Sequence, residues 1–508
     1  MDSEGTPNAN SRLISRRNVL GGSLGMAALG FAYAAFGDQL ASGTDDAETA
    51  ANAAPTAVEE EDPLQHESAR VSHLLRRSGF GVSREEFDYY QSMGLEATLS
   101  ELINYDSVDD ELAISQAASL VEPENPGTAV SWWVSRIINS RRPLQEKLTL
   151  FWHGLLTSQI SVVKDPEAMI TQNELLRASA MGDFPTVLKA ITADPAMMVY
   201  LDISGSTKQA PNENYARELM ELFSMGEGTF TETDVREAAR AFTGWRVPRQ
   251  RSDQGRPQLL EPVFQARRFD DGLKTFLGHT GNYGPDEIID IIVEQPASAE
   301  YVVRRLFGFF IFPEPDASDL APFVDVYLDN GYSIAATVES MLRSEVFYSP
   351  RAYRAIVKSP VEYAVGALKA LNLQDRATSF LSGRSRRDGG ALLDMGQVLM
   401  EPPNVAGWPG GAAWLNSATL FARLNLVDRI TSGDQSDTAA GEPDQAANLG
   451  TVEQALDHYL PFLLDDKVTA AERQILLDFA GGPQAALTPE ALRDLVYIIL
   501  ASPQFQLA

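Results

Sequence analysis

Pro211-Asn212-Glu213-Asn214-Tyr215-Ala216-Arg217-Glu218-Leu219-Met220-Glu221-Leu222-Phe223 states its secondary structure more clearly than any other stretch of the chain. Proline and asparagine open it. Asn214, Arg217, Glu218 and Glu221 then fall at i, i+3, i+4 and i+7, one polar stripe of a helix, and Tyr215, Leu219 and Leu222 make the apolar stripe beside it. The same period recurs outward in both directions. Toward the N-terminus it predicts helices over 184–193, 167–181, 144–157 and 130–140. Toward the C-terminus it predicts them over 232–242, 285–294, 297–311, 318–329, 333–344, 359–371, 390–400, 417–430, 452–463, 468–480 and 488–501. Many starts have a mechanism. Ser83 caps Arg84-Glu85-Glu86, with Glu86 closing a capping box. Thr231 stands three residues before Asp234, and Thr488-Pro489 puts proline at the first helical position. Strand-like alternation is nearly absent, and the one long irregular stretch before residue 400 is 246–284, with Pro248, Pro257 and Pro262. The expected fold is mainly α, a multi-helical globular domain with one irregular Pro/Gly-rich segment and few or no strands. One spacing repeats: Leu342-Arg343-Ser344-Glu345-Val346-Phe347 and Leu500-Ala501-Ser502-Pro503-Gln504-Phe505 both read L-x-S-x-x-F at the end of an apolar helix.

The N-terminus reads as an address. Ser15-Arg16-Arg17-Asn18-Val19-Leu20 matches the twin-arginine pattern, and the uncharged run Val19–Phe36 is diluted by Gly21, Gly22, Gly25 and Gly30. Ala32-Tyr33-Ala34 and Ala51-Asn52-Ala53 are both candidate cleavage sites; an uncleaved anchor and a buried helix are the alternatives. The expected organisation is a twin-arginine signal segment over 1–40 and an acidic disordered stalk over 41–65. A helical main domain follows over 66–431, then a polar loop or linker over 432–450, and C-terminal helices over 451–508 that pack on the main domain. The expected location is periplasmic or extracellular, reached by the twin-arginine translocase, with membrane tethering if the signal is retained.

Composition removes several chemistries. The 508 residues are 44% hydrophobic, enough for a large core. The chain has 41 Lys+Arg against 70 Asp+Glu, a net charge of −29, a field that repels phosphate backbones and argues against a nucleic-acid partner. With no cysteine there is no disulfide, thiolate metal site or cysteine nucleophile. No His-Glu-x-x-His, Glu-x-x-His, P-loop or Gly-x-Gly-x-x-Gly occurs, and the one Gly-x-Ser-x-Gly, Gly21–Gly25, lies inside the signal segment.

Candidate chemistry concentrates in Asp202–Trp245. Glu218 and Glu221 lie one turn apart and repel unless a cation, a donor or a shared proton sits between them. Arg217, a divalent metal, or Arg236 and Arg240 from the next helix could each supply it; equally, Arg217 could satisfy Glu213 and Glu221 on a solvated face. His153, between aromatics in Phe151-Trp152-His153, is either a pocket residue or a core histidine. Trp408 and Trp414, in a Pro/Gly-rich run, could stack on a ligand or plug a loop onto the helices.

These segments resemble the exported bacterial family catalogued as domain of unknown function number 1800. The resemblance rests on His73-Leu74-Leu75-Arg76-Arg77-Ser78-Gly79-Phe80-Gly81, Glu146-Lys147 through His153, Asp194-Pro195-Ala196-Met197 and Pro211–Phe223. Ala239-Arg240-Ala241-Phe242-Thr243-Gly244-Trp245, Gly272–Gly278, Ser359-Pro360-Val361-Glu362 and Pro402–Trp414 complete it. It implies export and a frequent neighbour, a second exported protein similar to the sulfatase/phosphatase superfamily, but no activity. Where members commonly carry a second histidine after the first, and His-Asp before the Gly-x-Lys, this chain has Leu155 and Phe269-Asp270. A metal held by those histidines would lack ligands here.

Two functions follow as expectations. One is a hydrolytic or metal-assisted enzyme. Glu218, Glu221, Arg217 and His153 would then be catalytic, and Asn212, Asn214, Asp202, Arg240, Trp245 and Trp408 would line the substrate site. The other is a non-catalytic helical scaffold or binding partner of the co-encoded exported protein. A carbohydrate binder built on Trp408 and Trp414 rests on less.

Overall fold

The structure is a computed structural model that describes residues 62–122, 125–251, 255, 257–382, 390–432 and 449–508. The signal segment, nearly all of the stalk and most of the polar loop lie outside the described residues.

The chain is mainly helical. It opens with α1 (Glu67–Ser78), α2 (Arg84–Met93), α3 (Leu95–Ile103), α4 (Glu111–Ala118), α5 (Pro126–Asn139) and α6 (Pro143–Leu155). Next come α7 (Ile160–Val163), α8 (Pro166–Ala178), α9 (Phe184–Thr192), α10 (Pro195–Tyr200), α11 (Asn214–Glu218) and α12 (Glu232–Ala241). The starts follow the capping chemistry. Asp165 and Asp194 each cap a helix whose first residue is proline. Ser83 accepts the Glu86 N–H while Glu86 accepts the Ser83 N–H, closing the box expected there. Among its described residues, the segment expected to be irregular holds three two-stranded antiparallel sheets. They are built from β1 (Trp245–Arg246), β2 (Arg249–Arg251), β3 (Pro257–Leu259), β4 (Val263–Phe264), β5 (Lys274–Phe276) and β6 (His279–Gly281), which pair β1–β4, β2–β3 and β5–β6. After this arm run α13 (Pro285–Val293), α14 (Pro296–Phe310), α15 (Ala317–Asp329), α16 (Ile334–Arg343), α17 (Pro360–Ala370), α18 (Ala377–Leu381) and α19 (Gly390–Asp394). Last are α20 (Ser417–Ser432), α21 (Val452–Leu464), α22 (Ala470–Phe479) and α23 (Pro489–Ala501).

Apolar side chains gather in two cores. The first draws on α1, α3, α6, α9 and α11 to α16, with Trp152, Phe184, Tyr215, Phe307 and Tyr327 among its largest members. The second is built from α5 and α17 to α23, and Phe80 and Phe87 reach into it from the N-terminal region. Helix α6 feeds both, Phe151 and Trp152 going to one and Leu150 to the other. Almost every residue of α6 is therefore buried, including Glu146 and Lys147. Helix α17 is buried in the same way, so charged residues on either helix must find a partner inside the protein.

The repeated L-x-S-x-x-F spacing is a repeated helix end. Ser344 and Ser502 both leave their helix in extended conformation, and the Phe347 and Phe505 N–H groups each donate to the preceding serine Oγ at 3.3 Å. Both rings are buried, one in each core. No helix among the described residues is long and apolar enough to cross a membrane.

Candidate functional site

The polar stripe of 212–221 lies at the surface, and local chemistry explains its shape. The Asn212 side chain accepts the Asn214 N–H at 2.9 Å, so the helix starts at Asn214. From Leu219 to Ser224 the turn widens to a π-helix. The Ser224 hydroxyl donates to the Leu219 carbonyl and the Tyr301 hydroxyl to the Leu222 carbonyl, which satisfies backbone groups that the wider turn leaves open. The wider turn also displaces Glu221 from the α-helical i+7 position. Arg217 makes a two-pronged pair with Glu232 at 2.7 and 2.8 Å and lies 3.5 Å from Glu213. Its field still reaches both stripe carboxylates. Glu218 is half-buried; burial, and then the neighbouring Glu221, push its carboxyl above the ordinary range against a smaller opposing effect of Arg217. Asn212, Asn214 and Asp202 are exposed, Asp202 in a left-handed turn with φ 61°.

The other expected site residues sit elsewhere. Arg240 grips Asp270 at 2.8 and 3.0 Å, pairs with Glu237 at 2.8 Å and donates to the Leu273 carbonyl, which ties α12 to the strands. Trp245 packs on Phe264, their ring centres 5.2 Å apart. Phe269 lies under the Lys274 ammonium at 5.0 Å. His153 is buried, edge-on to Trp133 at 5.0 Å and beside Trp408 at 5.7 Å. Neither of its ring nitrogens has a partner, and burial pushes its pKa down to about 3, which leaves it a neutral ring in an aromatic cluster. Trp408 is half-buried against Gly154 at the end of α6, and Trp414 is buried, so the 402–414 run closes onto the helices. Among the described residues no three carboxylate or imidazole side chains converge as metal ligands would.

A second set of charged residues does converge, in the interior. Lys147 of α6 pairs with Glu362 of α17 and donates to the Gly79 carbonyl at 3.2 Å. Glu362 also accepts the Ser359 N–H at 2.6 Å, as the capping partner of α17. Burial pushes the Glu362 carboxyl up, but Lys147 and the Ser359 bonds outweigh it and hold the group below the ordinary range. Glu146 takes both prongs of Arg177 at 2.6 and 3.0 Å, and Arg136 stands 3.5 Å from both Glu146 and Asp110. Lys369 reaches Glu86 at 2.8 Å. Arg77, fully buried, donates to the Ile311 and Ala352 carbonyls. These pairs bind α6, α8 and α17 to the N-terminal helices. The sequence shows these residues as charged positions inside runs such as Leu144–Trp152 and Leu74–Arg77, but carries no sign of which pairs with which.

Fold and site together define a helical protein whose buried charges lock helices to one another, with a short-stranded arm on its surface. The family model described as "Protein of unknown function (DUF1800)" matches residues 73–507, and the chain belongs to that family. Neither a curated protein nor a solved structure matches it.

Proposed function

We propose that the protein is a non-catalytic helical binding protein, exported by the twin-arginine route, that docks an acidic protein partner through its 245–273 arm. The observation that carries this reading is the chemistry of the arm. Over 245–273 its described residues set Arg246, Arg249, Arg251, Arg267 and Arg268 against Glu261, Asp270 and Asp271, of which Asp270 is already held by Arg240, on a chain whose net charge is −29. Interspersed are Leu260, Val263 and Phe264, 37%, 48% and 45% exposed, and nearby Leu273 at 70%. Exposed apolar side chains interspersed with arginine suit a protein interface, and the positive charge suits an acidic partner surface. The exported sulfatase/phosphatase-like neighbour that family resemblance suggests is the partner to test.

Tagged wild-type protein recovered from its native host should retain that neighbour at low salt and release it as salt rises. Arg249→Glu with Arg251→Glu should cut retention at least tenfold and leave the thermal midpoint unchanged, because both side chains are exposed. Equal retention by the charge-reversed protein, or no association at any salt, refutes the docking reading.

The raised carboxyl of Glu218 beside Glu221 favours a second reading, acid–base catalysis on α11. In a deletion strain, Glu218→Gln and Glu221→Gln should complement as fully as wild type. Loss of complementation by stably folded variants would favour the enzyme over the binding protein.

A further inference from the structure

A small cavity of about 20 Å³ lies between α1, the start of α17 and α21, lined by Ser72, Arg76, Lys358, Phe87, Phe462 and Phe505 among others. It is roughly large enough for one water or one monatomic ion. Its wall is strongly cationic. Arg76, with a side chain 10% exposed, spends one prong on Asp465, while its Nε and Nη2 are buried without a partner. The Lys358 side chain is buried and its ammonium lies over the face of Phe505 at 3.9 Å. Behind them Arg77 leaves Nε and Nη1 buried and unpartnered, and Arg354 approaches Asp465 only to 3.8 Å. Lys147 already occupies Glu362. Five cations (Arg76, Arg77, Lys147, Arg354 and Lys358) thus share two carboxylates, Glu362 and Asp465. Uncompensated charge at such depth is costly, and buried donors without acceptors are costly again.

We propose that this cavity holds a chloride-sized anion, coordinated by the Lys358 ammonium and the free Arg76 donors. The anion neutralises part of the excess charge, supplies the missing acceptor, and joins α1, α17 and α21 across the seam between the two cores. The small volume suits a monatomic halide better than phosphate or sulfate.

Two measurements on the purified mature chain test this. Thermal unfolding is followed at constant ionic strength while chloride is replaced by gluconate, which is too large for the cavity. The midpoint should fall by about 2 °C or more as chloride is withdrawn. Crystals exchanged into bromide should show an anomalous peak in contact with Lys358 Nζ and Arg76. Lys358→Met should abolish both the chloride dependence and the peak; if that variant fails to fold, the wild-type bromide map decides alone. A midpoint indifferent to chloride together with a bromide map empty at the cavity would overturn the proposal, leaving Lys358 neutral beside a water.

Discussion

Glu146→Gln should destabilise the protein by about 3 kcal/mol, the lower end of the range for removing one partner of a buried ion pair. Glu146 is fully buried and holds Arg177 by two bonds, with Arg136 close by. The glutamine keeps the shape and removes the charge, so two guanidinium groups lose their main counter-ion. Glu174, 3.2 Å from Arg177, and Asp110 remain and limit the damage. The change is read as a lower urea midpoint at unchanged slope. The same pair sets an acid limit. Burial pushes the Glu146 carboxyl up, but Arg177 and then Arg136 outweigh it and hold its folded pKa below the ordinary range. A depressed carboxylate contributes its stability above the unfolded pKa of about 4.3 and loses it as pH falls through the folded value. Wild type should therefore lose stability more steeply below about pH 4 than Glu146→Gln does. Parallel profiles would show that the pair contributes nothing to stability.

Gly407→Ala should cost about 3 kcal/mol, the sum of a left-handed backbone penalty and an overpacking penalty. Gly407 has φ 82°, and a Cβ there would fall inside the van der Waals envelope of the Gly154 carbonyl oxygen at the end of α6. Backbone meets backbone at that point, so no side chain can rotate away. Trp408, which packs on Gly154 and His153, would be lifted with the loop, and its fluorescence should shift toward that of a solvated indole. Gly205, at φ 111° with open space around it, is the control: Gly205→Ala carries the backbone penalty alone. Equal costs at the two positions would remove the close-approach argument.

The helices were legible because their determinants are local. A capping serine, a proline at the first turn and a 3.6-residue apolar period act within a few residues, so starts such as Arg84, Glu232 and Pro489 fall where the chain announces them. Misplacements have local causes too. The helix expected over 390–400 stops at Asp394, and the chain turns at Gly396 with φ 88°. Short elements such as α7 and α10 are too brief to display a period. The π-turn at Leu219–Ser224 left no trace, since residues that favour an α-helix also occupy the wider turn, and its Tyr301 partner lies 79 residues away.

The residues singled out for chemistry were identified as polar, but their grouping was not legible. The spacing offers Arg217 both Glu213 and Glu221; it lies 3.5 Å from Glu213 but makes its two-pronged pair with Glu232 on α12, and Arg240, which the sequence offers to the stripe, turns to Asp270. Helix periodicity says which side chains share a face. It says nothing of what that face meets. The absence of thiol chemistry, the acidic charge and the mainly helical architecture all belong to composition and short-range pattern. The ion pairs belong to tertiary structure: Lys147 and Glu362 stand 215 residues apart, Glu146 and Arg177 31 apart, and Arg76 and Asp465 389 apart. Only the packing of α6 between two cores removes water from those charges, and it is desolvation that turns a hydrophilic letter in the chain into an obligatory partner.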